Sequence, residues 1–490
     1  MFETAEIGEK LDKDAFHLRL PEFREAMLDA EFQLREEKRF SVVFVVAGAE
    51  GAGKGETVNC LLEWLDPRGV ETHAMSKPTD EERDRPPYYQ FWRRLPPKGK
   101  IGIFFGSWYT APIVQHIARK TDDDRFDREM RRIVDFERML ANEGVLIVKV
   151  WLHITRKQQK QRLRKLERNP ETSWRVTKQD WHYYKTYDDF IRVAAKAVCQ
   201  TSSGHAPWQV VEAADNYYRN LAVGEHLLSS LKRRLDVAET KPAPVPTLLP
   251  PQSENLISTM QLEQPLSRKD YRAELSKWQG KLSKLARRMA SNDQSTILVF
   301  EGNDGAGKGG CIRRVAQALD ARFYQVIPVA APTDEEKAHP YLWRFWRTLP
   351  GKGHIQIYDR SWYGRVLVER IEGLCERPDW QRAYSEINDF ERELTENQML
   401  VIKFWLAISS EEQLARFRHR EETGYKRYKL TEEDWRNREK APAYESAACD
   451  MIEHTSTPYA PWTKVEANNK LFARVKVLRT ICKRLEKAME

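Results

Sequence analysis

The amino-acid sequence predicts an α/β protein built from two tandem copies of one domain, each with a mostly parallel five-stranded sheet between layers of helices. Two observations lead to this prediction. The 490-residue chain matches itself without a gap for most of a domain at a shift of 254 positions, so that Pro-Thr-Asp-Glu-Glu at 78–82 recurs at 332–336. Each copy also alternates short apolar runs with helix-like segments, which is typical of a parallel sheet covered on both faces. A period this long indicates tandem domains rather than a solenoid.

The apolar runs of the second copy predict its five strands. They lie at 297–300, 323–329, 355–358, 400–406 and 463–466. A basic, helix-periodic stretch such as 271–278 precedes the first strand, and we expect it to pack on the neighbouring sheet or on another subunit. The Pro-rich stretch 241–251 cannot continue a helix or join a central strand. We therefore predict domains at 1–235 and 261–490, joined by a linker at 236–260.

A glycine-rich loop follows the first strand of each copy, at 48–55 and 302–309, and both loops share the spacing Gly-x-x-x-x-Gly-Lys. This spacing lets backbone N–H groups surround phosphate oxygens while the lysine reaches a terminal phosphate and the next helix directs its N-terminus at the anion. In the second loop the residues expected to contact phosphate or nucleotide are Gly302, Asn303, Gly305, Ala306, Gly307, Lys308, Gly309 and Gly310. Phosphoryl chemistry is therefore the first functional hypothesis.

The sequence also predicts a metal site in the second copy. The loop position that usually supplies a Ser or Thr ligand to Mg²⁺ is Gly309, so the loop carboxylate Asp304 is the available oxygen ligand. Asp359 follows the third strand, at the sheet edge where ligands bind in open α/β sheets. We expect Asp304 and Asp359 to hold Mg²⁺, or Mn²⁺, while Lys308 and Arg360 offset charge on a transferring phosphoryl group. The alternative that Asp359 only caps the following helix stays open.

The first copy lacks several of these charged groups. Phe105 and Gly106 stand where the second copy has Asp359 and Arg360. The further losses are Gln90 for Arg344, Ala111 for Arg365 and Gln115 for Glu369. Aromatic and proline positions stay the same, so we infer that the first copy keeps the fold and that the second copy carries out the chemistry.

A basic segment follows the fourth strand of the second copy. Its cations are Lys426, Arg427 and Lys429, and the first copy, which reads Glu-Thr-Ser-Trp-Arg at 171–175, has lost the cations at the positions of Lys426 and Arg427. Such a segment could close over phosphates as a lid. The alternative is a solvated charged face.

Composition restricts the partners. A net charge of +8 favours polyanions, namely nucleic acid, a phosphate polymer or an acidic surface. No nucleic-acid module is recognisable, so we expect no nucleic-acid partner. No window approaches 18 uncharged apolar residues, six scattered cysteines form no Cys-x-x-Cys pair, and the N-terminus lacks an apolar signal core. These features predict a cytoplasmic protein with no membrane span.

The motifs at 302–310, 332–336, 358–365 and 455–462 together resemble the polyphosphate kinase 2 family, and the tandem layout resembles its two-domain branch, the polyphosphate:AMP phosphotransferases. The resemblance implies a three-layer α/β/α P-loop kinase fold and transfer of a phosphoryl group from inorganic polyphosphate to AMP, giving ADP. By position it places the loop carboxylate on Asp304, the loop lysine on Lys308 and the strand-end pair on Asp359 and Arg360. Further candidate binding residues are Thr333, Arg344, Arg365, Glu369 and the lid cations Lys426, Arg427 and Lys429.

Two rival functions stay open at this point. An ATP-dependent nucleoside monophosphate kinase would share the loop, metal and lid, although Gly309 and the paired carboxylates argue against it. A non-catalytic polyphosphate-binding protein would fit the first copy but not the intact second copy. The sequence does not choose AMP over ADP or a guanine nucleotide except through the tandem layout, and it is compatible with a homo-oligomer.

Overall fold

Ten strands form two five-stranded sheets in the residues that the computed structural model describes, which are 2–75, 77–237, 257, 259–424 and 432–490. The first sheet has the order β2-β3-β1-β4-β5 and the second the order β10-β9-β6-β8-β7, which is the same order read from the opposite edge. The strands are β1 (Val42–Gly48), β2 (Val70–Ala74), β3 (Ile101–Phe105), β4 (Leu146–His153), β5 (Trp208–Glu212), β6 (Ser295–Gly302), β7 (Tyr324–Pro328), β8 (Ile355–Asp359), β9 (Met399–Ala407) and β10 (Trp462–Glu466).

The pairings between these strands are parallel, as in the register of Val42 with Ile101 on one side of β1 and with Leu146 on the other. The equivalent strand of the second sheet, β6, lies between β8 and β9. The central strands are buried over most of their length, as the continuous apolar runs in the sequence predict. The predicted fold class, two α/β domains with five-stranded parallel sheets, is therefore confirmed.

Helices connect the strands and cover both faces of each sheet. The helices of the first copy are α1 (Lys13–Glu37), α2 (Lys54–Trp64), α3 (Asp80–Arg83), α4 (Tyr89–Trp92), α5 (Thr110–Ile117), α6 (Asp123–Asn142), α7 (Arg156–Arg168), α8 (Lys178–Lys185), α9 (Tyr187–Thr201) and α10 (Asn216–Asp236). Those of the second copy are α11 (Arg268–Ser291), α12 (Lys308–Ala316), α13 (Asp334–Lys337), α14 (Trp343–Trp346), α15 (Val368–Ile371), α16 (Arg377–Glu396), α17 (Ser410–Glu422), α18 (Glu432–Glu439), α19 (Ala441–Thr455) and α20 (Lys470–Ala488). Short 3₁₀ helices lie at Glu3–Ala5, Ser173–Arg175 and Trp362–Val366 in the described part of the chain.

The chain forms two compact units. Unit 1 contains most of the first copy together with Pro332–Arg344, and unit 2 contains most of the second copy together with Thr79–Pro87. Each unit therefore includes a short segment that belongs to the other copy in sequence. The predicted boundaries 1–235, 236–260 and 261–490 stay a prediction, because most of the linker lies outside the described residues.

One face of each sheet packs against three long helices. In unit 2, Trp278 and Leu282 of α11 join Ile312 of α12 and Ile481 of α20 in a core cluster with Phe300 of β6. The basic helical stretch predicted before β6 is thus a helix, and it packs on the sheet of its own unit. No helix among the described residues is both long and apolar enough to cross a bilayer.

The other face of each sheet contains a fully buried ion pair. In unit 2, Lys403 of β9 lies 2.6 Å from Glu391 of α16, and both side chains are inaccessible to solvent. Trp362 and Tyr363 donate hydrogen bonds to Glu391, and Lys403 donates to the carbonyl of Thr455. Unit 1 repeats this network around Lys149 and Glu137. The tryptophan, tyrosine and glutamate of these networks come from two motifs that both copies share, Ser-Trp-Tyr at 107–109 and 361–363 and Asp-Phe-Glu-Arg at 135–138 and 389–392.

Candidate active site

The glycine-rich loop of unit 2 connects β6 to α12. Gly302, at the end of β6, has a φ of +140°. A Cβ atom at this position would collide with the backbone of Leu406 on the neighbouring strand β9, so only glycine fits. Gly307 precedes α12 with a φ of +101°, in the left-handed region that glycine favours. The loop therefore needs these glycines to pass close to β9 and to turn into the helix.

Hydrogen bonds from two other segments, the residue after β9 and α17, hold the loop in place. Asn303 Oδ1 accepts a hydrogen bond from the backbone N–H of Ile408 (3.2 Å), just after β9. Gln413 of α17 donates to the carbonyl of Asp304 (3.0 Å). Arg416 of α17 is buried and donates to the carbonyls of Gly305 (2.9 Å) and Ala306 (3.0 Å). Asn303 and Arg416 thus fix the loop to the segment after β9 and to α17.

Lys308 folds back over the loop from the first turn of α12. Its Nζ donates to the carbonyls of Gly302 (2.7 Å) and Asn303 (3.4 Å) and lies 3.9 Å from Asp304 Oδ1. The following residues Gly309 and Gly310 form the first turn of the helix. The ammonium group and the helix N-terminus therefore converge on the same side of the loop, as the sequence predicts for an anion site.

Asp304 is the centre of a polar cluster. Its Oδ1 accepts a hydrogen bond from Arg360 (3.3 Å), and its Oδ2 accepts one from Asn437 (2.7 Å). Burial alone would raise the pKa of Asp304, but the charges of Lys308 and Arg360 and the Asn437 hydrogen bond more than offset it, so the pKa lies below its usual value. Asp304 is therefore an ionised carboxylate at neutral pH.

Asp359 and Arg360 come at the C-terminal tip of β8. Asp359 pairs in register with Phe300 of β6, and the backbone N–H of Arg360 donates to the Phe300 carbonyl (3.1 Å). Since Arg360 also contacts Asp304, the strand tip and the loop meet at one edge of the sheet. The helix-cap alternative for Asp359 is wrong, because Ser361 is the residue that caps the following 3₁₀ helix.

Glu301 is a site residue that the sequence reasoning missed. Glu301 is the residue of the apolar strand β6 that directly precedes the glycine-rich loop. Its buried carboxylate accepts a hydrogen bond from Ser361 Oγ (2.8 Å). Burial raises its pKa, although Ser361, Lys308 and Arg360 each pull it down. The first copy has Ala47 at this position and keeps the serine, as Ser107. A charged residue inside an apolar strand, absent from the first copy, was the available signal.

Asn437 was also missed. It lies on α18, directly after the predicted lid segment, and its amide accepts a hydrogen bond from Tyr444 (3.0 Å) while donating to Asp304. The equivalent residue of the first copy is Tyr183. No charge or motif marks Asn437 in the sequence, and only the packing of α18 reveals its contact.

The remaining predicted residues divide into three groups. Arg365 and Glu369 form an ion pair with each other (2.9 Å). Thr333 caps α13 by accepting a hydrogen bond from the N–H of Glu336, and Arg344 lies 3.4 Å from the Glu336 carboxylate. Both Thr333 and Arg344 pack within unit 1, so their place in the site stays a prediction. The lid cations Lys426, Arg427 and Lys429 lie outside the described residues.

The equivalent loop of unit 1 has different surroundings. Lys54 Nζ contacts the carbonyl of Ala49 (3.0 Å) and the carboxylate of Glu50 (3.1 Å). Glu56, in the first turn of α2, pairs with Arg162 and with the buried Arg219. A carboxylate of the protein itself thus occupies the helix N-terminus, where unit 2 has Gly310.

The carboxylates of unit 2 fit a Mg²⁺ ion. Within the described residues, no group of three or more His, Cys, Asp or Glu side chains is arranged to hold a metal. Mg²⁺ at phosphoryl-transfer sites does not need such a group, because it keeps several waters and takes one or two carboxylates plus substrate oxygens. Asp304, ionised by its neighbours, and Asp359, at the same edge of the sheet, supply that donor set.

Comparison with known proteins gives a consistent result over the whole chain. The family model for polyphosphate kinase 2 matches residues 10–239 and 265–490. A polyphosphate:AMP phosphotransferase of Pseudomonas aeruginosa is 49% identical over 491 residues, covering 100% of this chain and 99% of the relative. One from Acinetobacter johnsonii is 37% identical over 97% of both chains.

The structural comparison agrees. A crystal structure from Pseudomonas aeruginosa PA01, described as a polyphosphate kinase 2, superposes with a TM-score of 0.90 at 47% identity and covers 100% of this chain and 99% of its own. Shorter relatives match one copy only, such as an ADP-polyphosphate phosphotransferase of Pseudomonas aeruginosa, 36% identical over 45% of this chain and 72% of the relative. The two-copy architecture, the glycine-rich loops and these matches agree: the chain belongs to the polyphosphate kinase 2 family.

Proposed function

We propose that this protein transfers a terminal phosphoryl group from inorganic polyphosphate to AMP, giving ADP, and that unit 2 carries out the reaction with the help of Mg²⁺. The observation that carries the proposal is the cluster of Asp304, Lys308 and Arg360 at the tip of the sheet; unit 1 keeps the loop pair as Glu50 and Lys54 but has Gly106 in place of Arg360. The full-length relatives named polyphosphate:AMP phosphotransferases support the choice of substrates.

The charges of the site suit phosphoryl transfer between two anions. Lys308 and Arg360 present positive charge to the moving group, and backbone N–H groups of the loop and α12 surround its oxygens. A bound Mg²⁺, held by Asp304 and Asp359, would neutralise charge on donor and acceptor oxygens. An AMP phosphate is already ionised at neutral pH, so the reaction needs positioning more than it needs a general base.

Two side chains, the buried Glu301 and the partly buried Asn437, set the geometry of this cluster. The Glu301 carboxylate binds Ser361, and Ser361 directly follows Arg360, so the bond restrains the turn that directs the guanidinium towards Asp304. Asn437 binds the second oxygen of Asp304 from α18. Glu301 and Asn437 therefore act as positioning residues, through other side chains rather than on substrate.

An assay with exchanged donors and acceptors tests the proposal. Purified protein with Mg²⁺ is incubated with polyphosphate and each of AMP, ADP, GMP and GDP, and the nucleotides are then separated. We expect ADP from AMP as the main product. The same acceptors with ATP as donor test the rival kinase function, and faster transfer from ATP than from polyphosphate would reject the proposed donor.

A further inference from the structure

The helix that follows β4 of unit 1 carries a high density of positive charge. α7 has seven Lys or Arg residues and one Glu among its 13 residues. The corresponding helix of unit 2, α17, has three Arg and four Glu. Lys157 and Arg168 stand where unit 2 has Glu411 and Glu422. The same helix position thus folds with either sign of charge, so the fold does not require the cations of α7.

Four cations of α7 are exposed to solvent and make no ion pair with any residue in the described part of the chain. These are Lys157, Arg164, Lys165 and Arg168. They lie on the side of the helix opposite Gln159 and Leu163, which are buried. Their charge is therefore available to a partner outside the chain.

The buried side of α7, opposite these exposed cations, contacts the glycine-rich loop of unit 1. Gln159 of α7 donates to the carbonyl of Glu50 in that loop (2.8 Å), and Arg162 pairs with Glu56 of α2. Ligands of open α/β sheets bind at this edge.

We propose that this surface, which we call the anchoring face and define as Lys157, Arg164, Lys165 and Arg168, binds inorganic polyphosphate without turning it over. The inference rests on the proposed function, because polyphosphate is the donor there. A phosphate polymer carries a charge at every unit, so it gains from each cation of a row. A chain retained on the same molecule as the active site also has a raised effective concentration there.

The chemistry of the face favours polyphosphate over single-stranded nucleic acid. Proteins that bind single strands combine cations with aromatic side chains on which successive bases stack. α7 has no aromatic residue. A bare phosphate chain has no bases and needs only the charge, which this helix supplies.

Kinetics of a matched pair of full-length variants test the anchoring face. Lys157→Gln, Arg164→Gln and Arg168→Gln are combined in one variant. The control variant combines Arg125→Gln, Arg128→Gln and Arg131→Gln, which removes the same charge from exposed positions of α6 in the same unit. We expect the α7 variant to raise KM for long-chain polyphosphate about tenfold, with kcat unchanged, since tethering changes binding rather than chemistry. KM for a chain of only a few phosphates should not change, and the α6 variant should behave as the parent.

Direct binding separates the possible outcomes. Anisotropy of labelled long-chain polyphosphate should show weaker binding for the α7 variant, and the difference should shrink as salt increases. Equal KM and equal binding in the two triple variants would overturn the anchoring face and leave the proposed function intact. If the parent did not phosphorylate AMP from polyphosphate, the proposed function would be rejected. The binding measurement would still test whether the anchoring face binds polyphosphate. Tighter binding of single-stranded RNA than of polyphosphate at the same salt would overturn the choice of ligand.

Discussion

At the scale of single residues, Arg360 occupies a backbone conformation that suits glycine. Its φ is +64°, and the equivalent residue of the first copy is Gly106, with a φ of +79°. A residue with a Cβ atom in this region is strained by about 1 kcal/mol or more. The side chain contacts Asp304 and is 39% exposed, so it is open to a ligand. We infer that the arginine is retained for its charge, against a local preference for glycine.

Replacing Arg360 separates these two effects. Arg360→Gly should leave the free energy of unfolding unchanged or raise it by up to about 1 kcal/mol, because the strain is relieved. Turnover should fall by about a hundredfold or more, because a charge facing the transferring group is lost. Denaturant unfolding and AMP phosphorylation measure the two quantities. Arg360→Lys is the control that keeps both charge and strain, and a parent-like kcat in Arg360→Gly would contradict the role of the guanidinium.

The two carboxylates proposed to hold Mg²⁺ can be neutralised without changing their shape. Asp304→Asn and Asp359→Asn should each reduce turnover by about a hundredfold or more, because an amide is a weaker ligand for Mg²⁺ than a carboxylate. Circular dichroism should show an intact fold. The assignment fails if both variants turn over at the parent rate in saturating Mg²⁺.

Glu301 has a pKa raised by burial, which predicts a specific pH dependence of stability. Between the unfolded-state pKa, about 4.3, and the raised folded-state pKa, the folded protein binds more protons than the unfolded chain. The contribution of Glu301 to stability is therefore present below about pH 4 and is lost as the pH rises through the folded-state pKa. Glu301→Gln removes the titrating carboxyl group, so the variant does not lose this contribution to stability as the pH rises. The free energy of unfolding of the variant, relative to the parent, should thus rise with pH above about 4.

A kinetic readout distinguishes positioning from simple packing at Glu301. Ser361→Ala removes the donor of the hydrogen bond to Glu301, and Ser107→Ala removes the equivalent serine of the first copy. We expect Glu301→Gln and Ser361→Ala to lower kcat with little change in KM for AMP, and Ser107→Ala to leave both unchanged. If Ser107→Ala lowered kcat as much as Ser361→Ala, the serine would serve the fold in both copies.

At the scale of elements, the two glycine-rich loops have the same backbone but different surroundings. Gly48 and Gly302 both approach the neighbouring strand too closely for a side chain, and both loops are followed by a helix that starts at the lysine. In unit 2 the loop carboxylate Asp304 also binds Arg360 and Asn437, whereas unit 1 has Gly106 and Tyr183 at the positions of these two partners. The two loops thus share their backbone and differ in the neighbours of the loop carboxylate, as our assignment of the chemistry to unit 2 requires.

The loop lysines provide a matched test of this division. Lys308→Ala should reduce turnover by about a hundredfold or more, because it removes the charge that faces the transferring group. Lys54→Ala should be tolerated far better. Steady-state rates of both folded variants give the comparison. Comparable losses would mean that unit 1 catalyses or binds an essential phosphate at its loop.

At the scale of the whole molecule, each unit is stabilised by the same buried ion pair. Lys149 with Glu137 and Lys403 with Glu391 have N–O distances of 2.6 Å and no solvent exposure. Removing one partner leaves an uncompensated buried charge, which typically destabilises a protein by about 3–5 kcal/mol, whereas replacing both by apolar residues is often neutral. Losing one member of the pair therefore costs more stability than the intact pair contributes relative to two apolar residues.

A double substitution tests this account. Lys403→Met alone should lower the free energy of unfolding by about 3–5 kcal/mol, and adding Glu391→Leu should recover most of the loss. The matched substitutions Lys149→Met and Glu137→Leu should behave alike. Thermal and denaturant unfolding of the four variants measure the effect. A double variant no more stable than the single one would show that the hydrogen bonds to Trp362 and Tyr363, and not the charge balance, stabilise the cluster.

The sequence by itself determined the fold class, the five strands of the second copy, the two glycine-rich loops and the loss of Asp359 and Arg360 from the first copy. These features are local or periodic: a buried parallel strand needs a continuous apolar run, and a loop that surrounds phosphate needs glycines at fixed spacing. A repeat within one chain also allowed position-by-position comparison, which revealed the missing charges without any other sequence.

Only the tertiary structure decided which side chains meet. Asn437 reaches Asp304 across 133 positions of sequence, and Ser361 reaches Glu301 across 60. It also showed that the repeated Trp, Tyr and Glu motifs enclose a buried lysine, and that the segments 79–87 and 332–344 each pack in the unit of the other copy. Such contacts depend on how helices pack on the sheet, so no local pattern in the sequence encodes them. The energy of a hydrogen bond or an ion pair depends on two partners, and only the folded chain brings these partners together.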